Sequence, residues 1–130
     1  MSFFRTILSS IGLADSPEAH AAKEKKKWVE RAADNYSAVA AGVAINSKCK
    51  ILAPKDSAKL EQDLERFTSA LAGKLHPNFM KSAREAAERL AAGKPYSQCG
   101  AEAREAVTEA QELVAEWLNR HGIDDMGWRW

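Results

Sequence analysis

No stretch of this sequence approaches the roughly 18 consecutive apolar residues that a membrane-crossing helix needs, so no transmembrane segment is expected. Bulk charge is equally uninformative. With 19 Lys and Arg against 18 Asp and Glu the formal charge is +1, which excludes binding to nucleic acid by net charge alone. The surplus is slightly uneven, since residues 1–50 carry 8 basic against 5 acidic side chains and residues 51–130 carry 11 against 13. Only 2 cysteines occur, with no C-x-x-C and no histidine spaced to complete a tetrahedral set, so no structural zinc is expected. The 3 histidines, His20, His76 and His121, stand far apart. No H-E-x-x-H, G-x-S-x-G or P-loop pattern accompanies them, and the expectation is a protein without catalytic residues and without a cofactor.

Strict alternation of apolar and polar residues is also missing, and a period near 3.6 runs through the chain instead. The expected fold is all-α. Phe3, Phe4, Ile7, Leu8 and Ile11 form a short amphipathic row at the N-terminus, assigned to residues 1–15. Ser16-Pro17-Glu18 then reads as a helix start: the serine caps free N–H groups, proline fits the first turn and the acid suits its positive end. Trp28, Ala32, Tyr36, Val39 and Val43 line one side of that helix, with Ala40 and Gly42 marking a close seam and Asn46 the stop.

Pro54 opens a helix with the cleanest stripe, Leu60, Leu64, Phe67, Leu71 and Leu75, broken at His76-Pro77. In the next helix Phe79, Ala83, Ala86 and Leu90 are expected inside, with Gly93 and Pro95 closing it. The last runs from about Gly100 to His121, with Ala103, Val107, Ala110, Val114 and Trp117 inward. Short connections force neighbours to run antiparallel, so residues 16–122 should make one single-domain, up-and-down antiparallel bundle of four main helices. Residues 123–130 are left as a tail containing Trp128 and Trp130.

In that topology the connections holding Cys49 and Cys99 return to one end of the bundle. Closing about 50 residues with a disulfide stabilises by about 4 kcal/mol on the chain-entropy model. The competing reading is two unrelated loop thiols, since a shared end does not put Cα atoms within bonding range. The pair is therefore a disulfide candidate, and its state turns on compartment. Met1 to Ala21 bears on that: Arg5, a short apolar stretch and Ala19-His20-Ala21 follow the order of a cleaved signal. Ser9, Ser10 and Gly12 dilute the apolar part, and Asp15 and Glu18 put acid where cleavage regions seldom have it. The chain is thus expected to be cytoplasmic, with a periplasmic or secreted location as the alternative if residues 1–21 are removed.

Glu102, Glu105, Glu109, Glu112 and Glu116 resemble a carboxylate ladder, but E-x-x-H is missing and they alternate with the inward row, so no metal is assigned and a solvated face is expected. KEKKKW at residues 23–28 is the single basic cluster, and nucleic-acid binding through it is the weaker alternative because Glu24 and Glu30 dilute its field. The leading expectation is a non-enzymatic helical domain that binds another protein or a second copy of itself, as an adaptor, inhibitor or immunity-type partner. Its candidate contacts are the apolar ends: Phe3, Phe4, Ile7, Leu8, Ile11, Trp128 and Trp130. An exported, disulfide-stabilised bundle is the alternative.

Overall fold

The computed structural model describes residues 17–120, with side chains from 23 to 119. The proposed N-terminal row, the Ser16 cap and the tryptophan tail lie outside those residues. Four helices pack together: α1 Pro17–Cys49, α2 Pro54–Leu71, α3 Pro77–Ala92 and α4 Ala101–Arg120. A single 3-10 turn, Tyr96–Gln98, sits between the last two, and no strand occurs among the described residues. Proline opens three of the helices, at Pro17, Pro54 and Pro77, where its missing N–H is one that the first turn leaves unbonded in any case. His76 completes the start of α3, its Nδ1 accepting from the backbone N–H of Asn78 at 3.0 Å.

Two helix ends differ from expectation. Helix α1 continues three residues past Asn46 to Cys49, and the left-handed residue is Lys50, with φ 54°. Asn46 does not stop the helix because its side chain is engaged across the connection. Its Oδ1 accepts from the Leu52 N–H at 2.8 Å, and its Nδ2 donates to the Ser57 hydroxyl at 2.8 Å. The buried amide thereby ties the end of α1 to the loop and to the first turn of α2. Helix α2 ends at Leu71, although its stripe continues through the following turn to a buried Leu75, whose N–H returns to the Leu71 carbonyl at 2.9 Å.

Helix α1 lies against all three of the others, running closely along α3 and α4, while α2 touches α1 and α4. Its closest approach is at Gly42. A Cβ there would run into the Ala110 side chain and stand 3.0 Å from the Ala106 carbonyl oxygen, so only hydrogen fits. The large side chains gather where the helices part. Trp28 meets Trp117 edge-on at 5.4 Å between ring centres, Trp117 meets Phe67 at 5.6 Å, and Phe67 meets Tyr36 at 5.8 Å. This run of four rings crosses α1, α4, α2 and α1 again, with offset and edge geometries that favour aromatic contact.

Helix α3 corrects the sequence reading. Its buried face is Met80, Ala83, Ala87 and Ala91, whereas Phe79 and Leu90 are 36% and 45% exposed and Ala86 is exposed with them. Only Ala83 of the expected inner set is inside. The reason is space: α3 runs so close to α1 that methyl groups fill most of the gap, and a phenyl ring would hold the helices apart.

Gly42→Ala should destabilise the fold by about 1–2 kcal/mol, because overpacking at a backbone contact outweighs the roughly 1 kcal/mol gain in helix propensity. Chemical denaturation measures this. Combined with Ala110→Gly, the loss should be smaller than the sum of the single losses, and strict additivity would mean that the two positions do not touch.

Candidate functional site

Three regions merit attention as sites: the pole carrying the cysteines, a polar cluster between three helices, and the outer face of α3. At the pole, Cys49 ends α1 and Cys99 follows the 3-10 turn; their Sγ atoms are 2.03 Å apart in a disulfide, with Cα atoms 5.4 Å apart. Cys99 takes a left-handed conformation, φ 57°, which turns the chain from the 3-10 turn toward α4. Both cysteines and the neighbouring Tyr96 are partly buried, and Tyr96, Ile51 and Leu52 pack against the edge of the core. A shallow groove of about 640 Å³ opens on the adjoining α1–α2 connection, between Lys50, Leu52, Pro54 and Glu61.

The polar cluster joins α1, α2 and α3. Arg84 donates from Nε to the Tyr36 hydroxyl at 2.9 Å, and from one terminal nitrogen to Thr68 Oγ1 at 2.9 Å and Glu65 Oε1 at 2.6 Å. Tyr36 and Thr68 hydroxyls are 3.0 Å apart, and Thr68 donates to the Leu64 carbonyl at 2.7 Å. The last ring of the aromatic run thus finds its hydroxyl a charged partner at the surface. Its hydrogen bond to Glu65 raises the Arg84 pKa above the ordinary value, against the lowering by burial and with help from Tyr36. A folded-state pKa above the unfolded one stabilises at every pH below the unfolded value and is lost only in strong alkali. The Arg84–Glu65 pair itself is 42% and 68% exposed, so solvent screens most of its Coulomb energy. The cluster is a polar joint that ties α3 to α1 and α2.

Among the described residues one buried carboxylate lies elsewhere: Asp63, beneath Lys59 at 2.8 Å and Arg66 at 3.5 Å on its own helix. Among the described residues no three His, Cys, Asp or Glu side chains gather as metal ligands, and all five glutamates of the α4 row are exposed. In KEKKKW, Trp28 is 8% exposed and packed on Trp117, so the lysines have no open aromatic ring beside them, and Lys27 pairs with Glu24 at 3.6 Å. No helix among the described residues is long and apolar enough to cross a membrane.

The outer face of α3 is the remaining feature. At about 100° per residue Phe79, Ala86 and Leu90 fall within about 20° of one line, spanning three turns or ~16 Å. This is a row of apolar side chains on a helix whose inner face is already filled. Compared with protein-family models, with curated proteins and with solved structures, the chain matches none of them.

Of the residues singled out from sequence, Cys49 and Cys99 are brought together, while Phe3, Phe4, Ile7, Leu8, Ile11, Trp128 and Trp130 lie outside the described residues. Apolar periodicity puts Phe79 and Leu90 in the core, whereas the structure buries Met80, Ala83, Ala87 and Ala91, whose spacings of three, four and four signal the buried face. The Tyr36–Thr68–Arg84 cluster has no signal along the chain, because its members come from three helices.

Replacing both cysteines by serine should lower stability by up to about 4 kcal/mol, since about 50 residues lose their cross-link. Urea denaturation of the oxidised and reduced chain measures the same quantity without mutation. At the polar joint, Arg84→Met should cost about 1 kcal/mol through the two hydroxyls left without their cation, whereas Glu65→Gln should cost under about 0.5 kcal/mol. Equal losses for both would mean that the ion pair, not the hydroxyl bonding, carries the joint.

Proposed function

We propose that the chain is a non-enzymatic helical domain that binds another protein, as an adaptor, inhibitor or immunity-type partner, and that its helices follow an up-and-down antiparallel order. The observation that carries the reading is the outward row Phe79, Ala86 and Leu90 on α3. Large apolar side chains held on a rigid helix, three turns apart, are what an amphipathic helix of a partner needs in order to lie alongside. The apolar ends, Phe3 to Ile11 and Trp128 with Trp130, extend the same chemistry. The polar joint and disulfide keep α3 and its neighbours from shifting, so such a surface would be presented already formed.

Phe79→Asp with Leu90→Asp should reduce partner binding at least about tenfold while helicity by circular dichroism is retained, because a carboxylate facing an apolar surface loses more than one hydrogen-bonding equivalent of hydration. Chemical cross-linking and affinity capture from the source cell, wild type against variant, would read it. Removal of residues 1–13, and alanine at Trp128 and Trp130, test the two ends in the same assay. Full binding by all three variants would discard these surfaces as the contact.

A second reading, an exported disulfide-stabilised bundle, is favoured by the Cys49–Cys99 bond, since such bonds persist mainly in oxidising compartments. Intact mass from native source with and without reductant decides between locations. A chain beginning after Ala21 and two protons lighter before reduction is the exported form; a full-length chain with two thiols is the cytoplasmic one.

A further inference from the structure

The outward row of α3 is one edge of a broader face. We infer that this face, formed by α3, α1 and α4 on the side away from α2, takes a basic amphipathic helix of a partner protein. The inference rests on the binding role proposed for the row Phe79, Ala86 and Leu90 and deepens it, by naming the partner's chemistry.

The face follows from how the helices surround α1. Tyr36 reaches α2 through the Thr68 hydroxyl, and Gly42 meets α4 at Ala110. At about 100° per residue Gly42 lies about 120° to one side of Tyr36, whereas the buried Ala40 and Ala44 lie about 40° and 80° to the other. Those two alanines therefore face α3. Helices α3 and α4 flank α1 on opposite sides, lying along it but not along each other. Asp34, Ala38 and Ala41 fall within about 40° of the line opposite Tyr36. Asp34 is exposed and both alanines are half-buried, and among the described helices none lies over them.

Both flanking helices turn apolar side chains toward that side. On α3 the bonds from Arg84 to Thr68 and Glu65 mark the flank nearest α2. Arg84 lies about 140° round the helix from Phe79, with the buried face between them, so the row of Phe79, Ala86 and Leu90 is the flank away from α2. On α4, counting from the buried Val107, Ala110 and Ala106 lie about 60° and 100° round toward α1, and Leu113, Glu102 and Glu109 continue the same way to about 120°, 140° and 160°. Leu113 is half-buried and the two glutamates are exposed.

Shape and charge then select the occupant. Alanine methyl groups make a low centre between the taller Phe79 and Leu90 on one edge and Leu113 on the other, a profile into which the ridge of a helix packs. Beyond Leu113 the edge is acidic. Glu102 and Glu109 begin the exposed row that continues through Glu105, Glu112 and Glu116, and between residues 102 and 116 the sole cation is Arg104, on the opposite flank of α4. Glu109 precedes Ala110, the residue that meets Gly42, so its carboxylate stands level with Ala41. On α1 the exposed Arg31 and Asp34 offset one another, and on α3 Arg89 lies outside the apolar row. A Lys or Arg one turn from the partner's apolar stripe therefore meets carboxylates along the α4 edge. The same edge repels nucleic acid and anionic lipid.

The test titrates the full chain into a fluorescent peptide of about 14 residues with leucine on one helical face and lysine on the other, followed by anisotropy, beside a counterpart carrying glutamate in place of lysine. The lysine peptide should bind at least about tenfold more tightly than the glutamate one, and less tightly as salt is raised. Phe79→Asp with Leu90→Asp should weaken it at least about tenfold, and Glu102→Gln with Glu109→Gln at least about threefold, with helicity retained in each. Glu88→Gln, an exposed position on the far flank of α3, should leave it unchanged. Equal binding of the two peptides, binding of neither, or a loss with Glu88→Gln as large as with the Glu102 and Glu109 pair would overturn the inference. Failure of the binding reading looks different: Phe79→Asp with Leu90→Asp leaves capture of the natural partner intact. If that capture is lost but Glu102→Gln with Glu109→Gln does not change it, the binding reading stands and the basic partner is wrong.

Discussion

The fold depends on how closely α1 can be approached. At Gly42 it meets α4 with no side chain of its own, and along α3 it faces a row that is alanine at three of four positions. At Gly42 the contact is made by methyl groups and backbone, and along α3 mostly by alanine methyl groups beside Met80, so there is little room there for large side chains. Those are consequently concentrated in the wider space bounded by α2, where Trp28, Trp117, Phe67 and Tyr36 make a continuous aromatic run. Close approach and aromatic clustering are one geometric consequence: helices that touch at one side must diverge at another, and the divergence is filled by rings.

The same tightness shapes the surface. Phe79 and Leu90 are outside because the α1–α3 gap cannot hold them, and so α3 carries apolar side chains on two faces at once. Polar interactions then fix where the elements sit. Asn46 fastens the α1–α2 connection, Arg84 ties α3 to α1 and α2 through two hydroxyls, and the Cys49–Cys99 bond closes the pole at which α1 ends and α4 begins. Each restrains elements that apolar packing alone would allow to slide, since dispersion and burial are non-directional whereas hydrogen bonds and a covalent link are not. Under the binding role proposed for it, the outer face of α3 would gain from that restraint, because less ordering would remain to be done on association.

Much of the helical architecture is legible along the chain. Helix starts at proline, the leucine and phenylalanine stripe of α2 and the inward row of α4 all follow from local capping chemistry and a 3.6 period, which depend on neighbours in sequence. The α3 face is different. Two apolar rows share that helix, Phe79–Ala86–Leu90 and Met80–Ala83–Ala87–Ala91, and hydrophobicity favours the larger one. Which is buried depends on the width of a gap set by α1, a quantity with no local signature. The end of α1 departs from the sequence expectation for a similar reason: Asn46 is a competent stop in isolation, but its amide is occupied by Leu52 and Ser57, partners that exist only once the connection has folded.

Sequence by itself determined that the chain is helical, where most helices begin and which residues of α2 and α4 turn inward, because capping and amphipathic period are properties of short segments. Tertiary structure alone decided that Cys49 and Cys99 come within bonding distance, that Tyr36, Thr68 and Arg84 form one joint, and that α3 shows Phe79 and Leu90 to the outside. Those outcomes are set by distances between helices, and such distances come from side chains meeting across the fold rather than along the chain.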